Sequence, residues 1–403
     1  MRSNATSDGG DWRRRQWATS VLSGSPLAYV LLALISNAGV LFINIMPALV
    51  GTLIDVRGFS EQQAGYVASA NIYGAALGAF LTVMVVKVIP WKKTIAVVLL
   101  LYMAVDCLSA LPLSLQSLIF LRFLSGVFGG AITTSSYAMM ARLEQPDRAY
   151  GLAVGLGLAL GGGVIYILPV LLENWGTYGL FFLMTGYSLI GLALVPFSPN
   201  LPIREHEPAN GEVKHSQNQK ALPLTLLLIG IFLFQAANLG IFSYQQRIGL
   251  DAGLGVDWVN MALAYGLWIS IPTSMLVVLL GARLGHSKPI LFAGCSMLSA
   301  FYLMHHASNA EVFLYASLLF AVAVTVMIPY MYGLCALLDA TGKGTATANF
   351  VSMLGWASGP LIGAWLLEYH KYSELLNAAM AAVVLSLFFT FLCIQRIIRV
   401  QVS

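Results

Sequence analysis

Asp106 and Arg122 are the residues of this chain best placed to do chemistry, because each stands alone among apolar neighbours. A carboxylate and a guanidinium taken out of water need each other's company. Their spacing supplies it. With a tight turn near Pro112, each falls about seven residues, or ~10 Å of helix rise, from the shared end of two adjacent helices. The expected arrangement is an ion pair in which Asp106 takes up a proton when Arg122 turns away. The competing reading is a structural clamp that only lets both charges survive burial.

A second set of polar side chains also sits in apolar surroundings: Asn37, Asn44, Tyr137, Tyr166, Gln235, Asn238, Tyr265, Tyr330 and Trp356. Asn37 and Asn44 are seven apart and Gln235 and Asn238 three apart, so each pair shares a helix face. Singly, each is met by a hydrogen bond between helices. As a set they describe a mostly neutral, aromatic-lined pocket. One deep arginine there favours an organic anion or a neutral aromatic over a metal ion. His305 and His306 point ~100° apart on a helix, poor geometry for one metal. Asp55 and Arg57 read as solvated loop residues, and Cys107, Cys295, Cys335 and Cys393 as small core residues. No metal and no cofactor is expected.

These side chains need a scaffold, and composition says which kind. Of 403 residues only 9 % are charged and 58 % are hydrophobic, where an ordinary soluble domain carries about a quarter charged. So much apolar surface cannot be hidden from water, which makes this a membrane chain. A net charge of +4 supplies no nucleic-acid surface. A bilayer core of about 30 Å takes ~20 helical residues to cross. Windows of that length fall at 27–50, 62–85, 94–112, 117–140, 150–172, 176–197, 222–246, 258–281, 289–306, 313–337, 345–367 and 375–395. With both termini in the cytoplasm, 17 of the 21 Lys and Arg residues face inside, as the positive-inside rule requires. The expected divisions are a cytoplasmic tail at 1–25, a six-helix bundle at 26–197, a polar linker at 198–220, a second bundle at 221–396 and a tail at 397–403.

Sliding the sequence by 195 positions matches it to itself without gaps. Lys93 falls on Lys288, Tyr137 on Tyr332, Arg148 on Lys343, and Leu171-Leu172-Glu173 on Leu366-Leu367-Glu368. The halves are parallel repeats, one of the ways transporters build a midplane site between two rocking bundles. The same shift turns Asp106 and Arg122 into Phe301 and Ser317, so the scaffold alone does not require the pair.

At this point the chain resembles the major facilitator superfamily, over essentially its whole length. Four stretches carry the resemblance. Gly58-Phe-Ser-Glu-Gln-Gln-Ala-Gly65 opens the second helix, with Ser60 as N-cap and Gln63 at N3. Arg122-Phe-Leu-Ser-Gly126 with Gly129-Gly130 is similar to the family's fourth-helix motif, whose arginine is linked to coupling. Gly281-Ala-Arg283-Leu-Gly285-His-Ser-Lys288 is similar to its basic gating loop, matched in the first half by Lys92 and Lys93. Gly355-Trp-Ala-Ser-Gly359-Pro360 is similar to its eleventh-helix pattern. Ala282 stands where that loop carries an acid, and Gly157-Leu-Ala-Leu-Gly161 lacks the following proline of the family's antiporters. Glycine pairs such as Gly74/Gly78, Gly151/Gly155, Gly157/Gly161 and Gly355/Gly359 have close-packing spacing.

The resemblance implies an all-α membrane fold of twelve helices in two six-helix bundles. It also implies secondary active transport of a small organic solute by alternating access, coupled to protons, in a monomer of the bacterial cytoplasmic membrane. No phosphate-binding GxxxxGK[ST] loop is present, so ATP is not the direct driver. An efflux antiporter of drugs or metabolites, a non-transporting membrane sensor and a membrane-embedded enzyme are the alternatives. The chain is not read as an enzyme, since no His, Asp and Glu cluster stands at a membrane surface. Beyond the solute and protons, the only partner expected is the lipid bilayer.

Overall fold

The computed structural model describes residues 25–85, 90–140, 143, 146–199, 217–280, 285–338, 343–369 and 371–402. Most of the linker, the first tail and Arg283 lie outside these residues. Among them twelve helices are long and apolar enough to cross a membrane: α1 Pro26–Asn44, α2 Glu61–Met84, α3 Trp91–Ala110, α4 Leu115–Met140, α5 Ala149–Gly176, α6 Tyr178–Phe197, α7 Ala221–Asp251, α8 Val256–Val277, α9 Ser287–Met304, α10 Ala310–Cys335, α11 Thr347–Glu368 and α12 Tyr372–Ile397. Leu77, Phe80, Val97, Leu100, Phe292 and Phe388 stand exposed on their outward faces, an apolar surface suited to lipid.

Local sequence sets the helix ends. Ser60 and Gln63 form the expected capping box: Gln63 N–H donates to Ser60 Oγ at 3.2 Å and Ser60 N–H to Gln63 Oε1 at 3.1 Å, meeting donors that the first turn leaves free. Pro26 opens α1 behind Ser25. Gly176 forms the corner between α5 and α6 with φ +54°, a setting that side-chain-bearing residues avoid. The helix α1 breaks at Ile45 (φ −108°, ψ 16°) and resumes as a short helix, Met46–Asp55. Pro47 has no N–H to return to the preceding turn, which fits a break there.

Glycine brings the backbones together within each bundle. At Gly74 and Gly78 of α2 a Cβ would strike the α4 backbone at Phe123 and Val127, and at Gly126 and Gly130 of α4 it would strike α2 at Asn71 and Ala75. In the other bundle Gly355 and Gly359 of α11 lie against α7 at Phe232 and Ala236. The pair Gly151/Gly155 behaves otherwise: a Cβ there would meet nothing within 4 Å. Spacing predicts tight packing, but this end of α5 borders open space beside the central cavity. The two bundles repeat one contact at the 195-residue shift. Asn71 of α2 bonds the Arg122 carbonyl of α4 at 3.0 Å, while Gly266 of α8 lies against the Ser317 carbonyl of α10.

The bundles meet most closely on the face away from the linker, here called the far face. Arg247 of α7 pairs with Asp55 at 2.5 Å, Tyr372 of α12 hydrogen-bonds Glu61, Gln62 hydrogen-bonds Glu368, and Tyr244 donates to the Glu61 carbonyl at 3.2 Å. Gln246 packs on Gly51 and Tyr244 on Gly65. Nearer the midplane, Tyr73 bonds Ser358 at 3.0 Å and Trp268 donates to the Ala159 carbonyl at 3.3 Å.

Candidate substrate cavity and buried ion pair

The turn between α3 and α4 brings Asp106 and Arg122 to the same depth. Arg122 Nη2 donates to Asp106 Oδ1 at 2.6 Å, and both side chains are fully buried. Residues one turn along each helix complete the cluster, since i and i+3 share a face. Arg122 Nη2 also donates to Ser109 Oγ at 2.7 Å, and Ser125 Oγ donates to Asp106 Oδ1 at 3.1 Å. The rings of Phe181 and Phe42 lie 5.2 Å and 5.8 Å from the Arg122 guanidinium carbon, favourable ground for a cation. Asp106 Oδ2 and Arg122 Nε and Nη1 have no partner among the described residues.

Arg57 and Asp55 are not merely solvated. Arg57 is half-buried and donates through Nη2 to the carbonyls of Ser109 at 2.6 Å and Ala110 at 2.8 Å. It thereby caps α3, whose C-terminal carbonyls attract a cation. Burial, then the nearby Arg122 charge, lower its pKa, though a guanidinium stays charged throughout. Asp55 is held by Arg247 across the bundle interface. A loop residue's reach to another helix is invisible in local sequence.

Between the bundles lies a cavity of about 430 Å³, within the range of small-molecule sites. Asn37, Asn44, Tyr137, Asn238 and Trp356 line it. Asn37 spends its amide donors on the Ala33 and Ala153 carbonyls at 2.9 Å and 2.8 Å, which leaves its oxygen as an acceptor. The Trp356 indole N–H is itself buried, without a partner among the described residues. Four other candidates lie elsewhere. Tyr166 and Tyr265 are 54 % and 41 % exposed and tilt against Trp268 at the α5–α8 seam. Gln235 is buried, accepting from Asn238 at 3.1 Å, and Tyr330 is buried beside His286.

The same wall holds polar residues beyond those expected from the sequence: Gln245, Ser270, Ser274, Ser317 and Thr325. Gln245 lies seven residues beyond Asn238, hence on its face, and donates to Ser317 Oγ at 3.0 Å. Among the described residues the lining contains no Asp, Glu, Lys, Arg or His. Arg122 is therefore not a wall residue, and the case for an organic anion that leaned on it loses its footing. Cys335 and Cys393 are core residues, but Cys107 and Cys295 are exposed; a small apolar side chain fits a lipid-facing position as well as a core.

The linker-face loops are only partly described. Lys92 Nζ donates to the Pro196 carbonyl at 3.1 Å, Lys93 and Lys288 are exposed, and Gly285 turns the chain with φ +66°. His286 packs edge-on against Tyr330, and burial lowers its pKa.

The family described as Major Facilitator Superfamily matches residues 27–360. The chain belongs to that superfamily. Its work is secondary transport of small solutes by a multi-pass integral membrane protein. Among curated protein sequences none matches this facilitator. Solved structures do. A bacterial homologue of the human lysosomal transporter Spinster, inward-facing and unoccupied, superposes with a TM-score of 0.68 at 14 % identity, covering 93 % of this chain and 99 % of that one. The nucleoside transporter NupG gives 0.70 at 11 % identity over 92 % and 99 %. A peptide transporter POT bound to alafosfalin gives 0.70 at 13 % identity over 95 % and 98 %. At these identities the likeness is one of fold.

Proposed function

We propose that this facilitator carries a small, neutral, largely apolar organic solute by rocking its bundles about the central cavity. One observation supports this above others: among the described residues the cavity wall has no Asp, Glu, Lys, Arg or His, only amides and hydroxyls among apolar and aromatic groups. Burying an unpaired charge there costs several kcal/mol, whereas a polar atom on a neutral solute meets the amides of the wall, Asn44 among them. An organic anion would meet no cation among the described residues of that wall.

Read with the Lys and Arg bias, the linker face is cytoplasmic, and the bundles are joined on the opposite side. This conformation is then inward-facing in a bacterial cytoplasmic membrane, working as a monomer. Protons drive the cycle through Asp106. The carboxylate loses its only cation when Arg122 moves, and a proton then replaces the arginine. The direction of carriage follows from how protonation and solute binding are linked, and both uptake and efflux fit the scaffold.

The test is a panel of neutral aromatics, sugars, amino acids, organic acids and lipophilic cations, scored by thermal stabilisation of the purified protein. Hits then go into proteoliposomes with an imposed pH gradient. Neutral compounds should bind, and Asn44→Leu should weaken those with a polar atom by roughly 2- to 10-fold, one hydrogen bond's worth. Asp106→Asn should abolish gradient-driven movement and leave exchange. Stabilisation by organic acids alone would sink the neutral-solute reading, and full proton coupling in Asp106→Asn would sink the role of Asp106.

A further inference from the structure

Where α3 turns into α4, the N-terminal bundle gathers more positive charge than its own groups balance. Arg122 and Arg57 both reach Ser109, one at its hydroxyl and the other at its carbonyl oxygen. Both guanidinium carbons stand 5.2 Å from the centre of the Phe181 ring. Against these two cations stands one carboxylate, Asp106, whose Oδ1 already serves Arg122 and Ser125. The end of α3 offsets part of the Arg57 charge through two carbonyls. Even so, Arg122 Nε and Nη1 and Arg57 Nη1 are buried donors with no acceptor among the described residues. Arg122 is completely enclosed, and leaving buried cationic donors unmet is among the most costly arrangements in a protein.

We propose that this end of the bundle is a binding site for a small monovalent anion of the chloride type, held by Arg122 Nε and Nη1 with Arg57 Nη1. The rings of Phe42 and Phe181 offset part of the guanidinium charge through their faces but carry no lone pair for these N–H groups, so the ligand supplies the negative charge. Enclosure by α1, α3 and α6 argues for a small ion, and the half-buried Arg57 gives it an approach from the far face. The site is separate from the solute cavity, since neither arginine lines that wall, and it does not depend on the proposed solute. The anion balances the second guanidinium while the first stays on Asp106. A water joining Arg122 Nη1 to the unpaired Asp106 Oδ2 is the rival occupant.

The experiment is thermal unfolding of the purified full-length protein as chloride is replaced stepwise by gluconate at constant ionic strength. Mass action predicts a saturable rise in midpoint of roughly 1–3 °C when chloride stands several-fold above its dissociation constant. Bromide should reproduce it. Arg57→Gln should lose the chloride dependence, and Arg57→Lys should keep part of it. Lost capping of α3 would lower the midpoint in both salts alike, so the difference between salts isolates the anion. Bromide in crystals should give an anomalous peak beside Arg122. Equal midpoints in chloride and gluconate, an intact chloride response in Arg57→Gln, or a bromide peak only elsewhere would each overturn the proposal.

Discussion

At the scale of single residues, the protein separates charge from cargo. Asp106 and Arg122 are sealed behind the cavity wall, where each keeps the other tolerable. Removing one partner of a buried pair leaves an uncompensated charge and costs about 3–5 kcal/mol, whereas replacing both with apolar groups is close to neutral. Arg122→Leu should therefore lower the unfolding midpoint sharply, and the double variant Asp106→Leu/Arg122→Leu should recover most of the loss. A double variant no more stable than the single would show that Ser109, Ser125 and Asn71, rather than the missing charge, dominate the cost. The pair was legible in the sequence because two lone charges at matched depth leave few other arrangements. The cavity wall was legible only in part. Asn37 and Asn44 announce a shared face by their spacing, but Tyr166 and Tyr265 sit on helices apolar all round, where residue type does not reveal which side meets lipid.

At the scale of elements, glycine position rather than glycine spacing decides how helices meet. Gly126 and Gly155 both belong to small-residue patterns, yet one touches a neighbouring backbone and the other faces open space. Gly126→Ala should drive α4 off α2 and destabilise the fold. Gly155→Ala should be neutral or stabilising by up to about 1 kcal/mol, from helix propensity alone. Thermal midpoints of the two variants check this, and equal losses would mean that α5 is packed along its whole length. Twelve spans, the capping box at Ser60 and the parallel repeat could all be read in advance, because length, hydropathy and local hydrogen bonding act within a helix. The break at Ile45, which Pro47 favours locally, interrupts a span that hydropathy alone reads as continuous, and the reach of Arg57 to α3 is settled by neighbours distant in sequence.

At the scale of the molecule, two bundles are fastened at one face by few polar contacts. The pairs Asp55–Arg247 and Glu61–Tyr372, with Gln246 seated on Gly51, must all part before the far face can open. Asp55→Asn should weaken this fastening and raise the population open on that side. A cysteine introduced by Ser317→Cys, toward the far end of the cavity, should then react several-fold faster with a membrane-impermeant thiol reagent added from the far side. An unchanged rate would place the fastening elsewhere. The uncharged cavity wall has an electrical consequence as well. The wall itself carries no charge through the membrane field as an empty carrier turns around, where each elementary charge is worth about 2.3 kcal/mol per 100 mV. Any voltage dependence of the return step should then trace to the buried Asp106–Arg122 pair and Arg57. Steepness in the current–voltage curve of the full cycle beyond theirs counts the charges on the passengers.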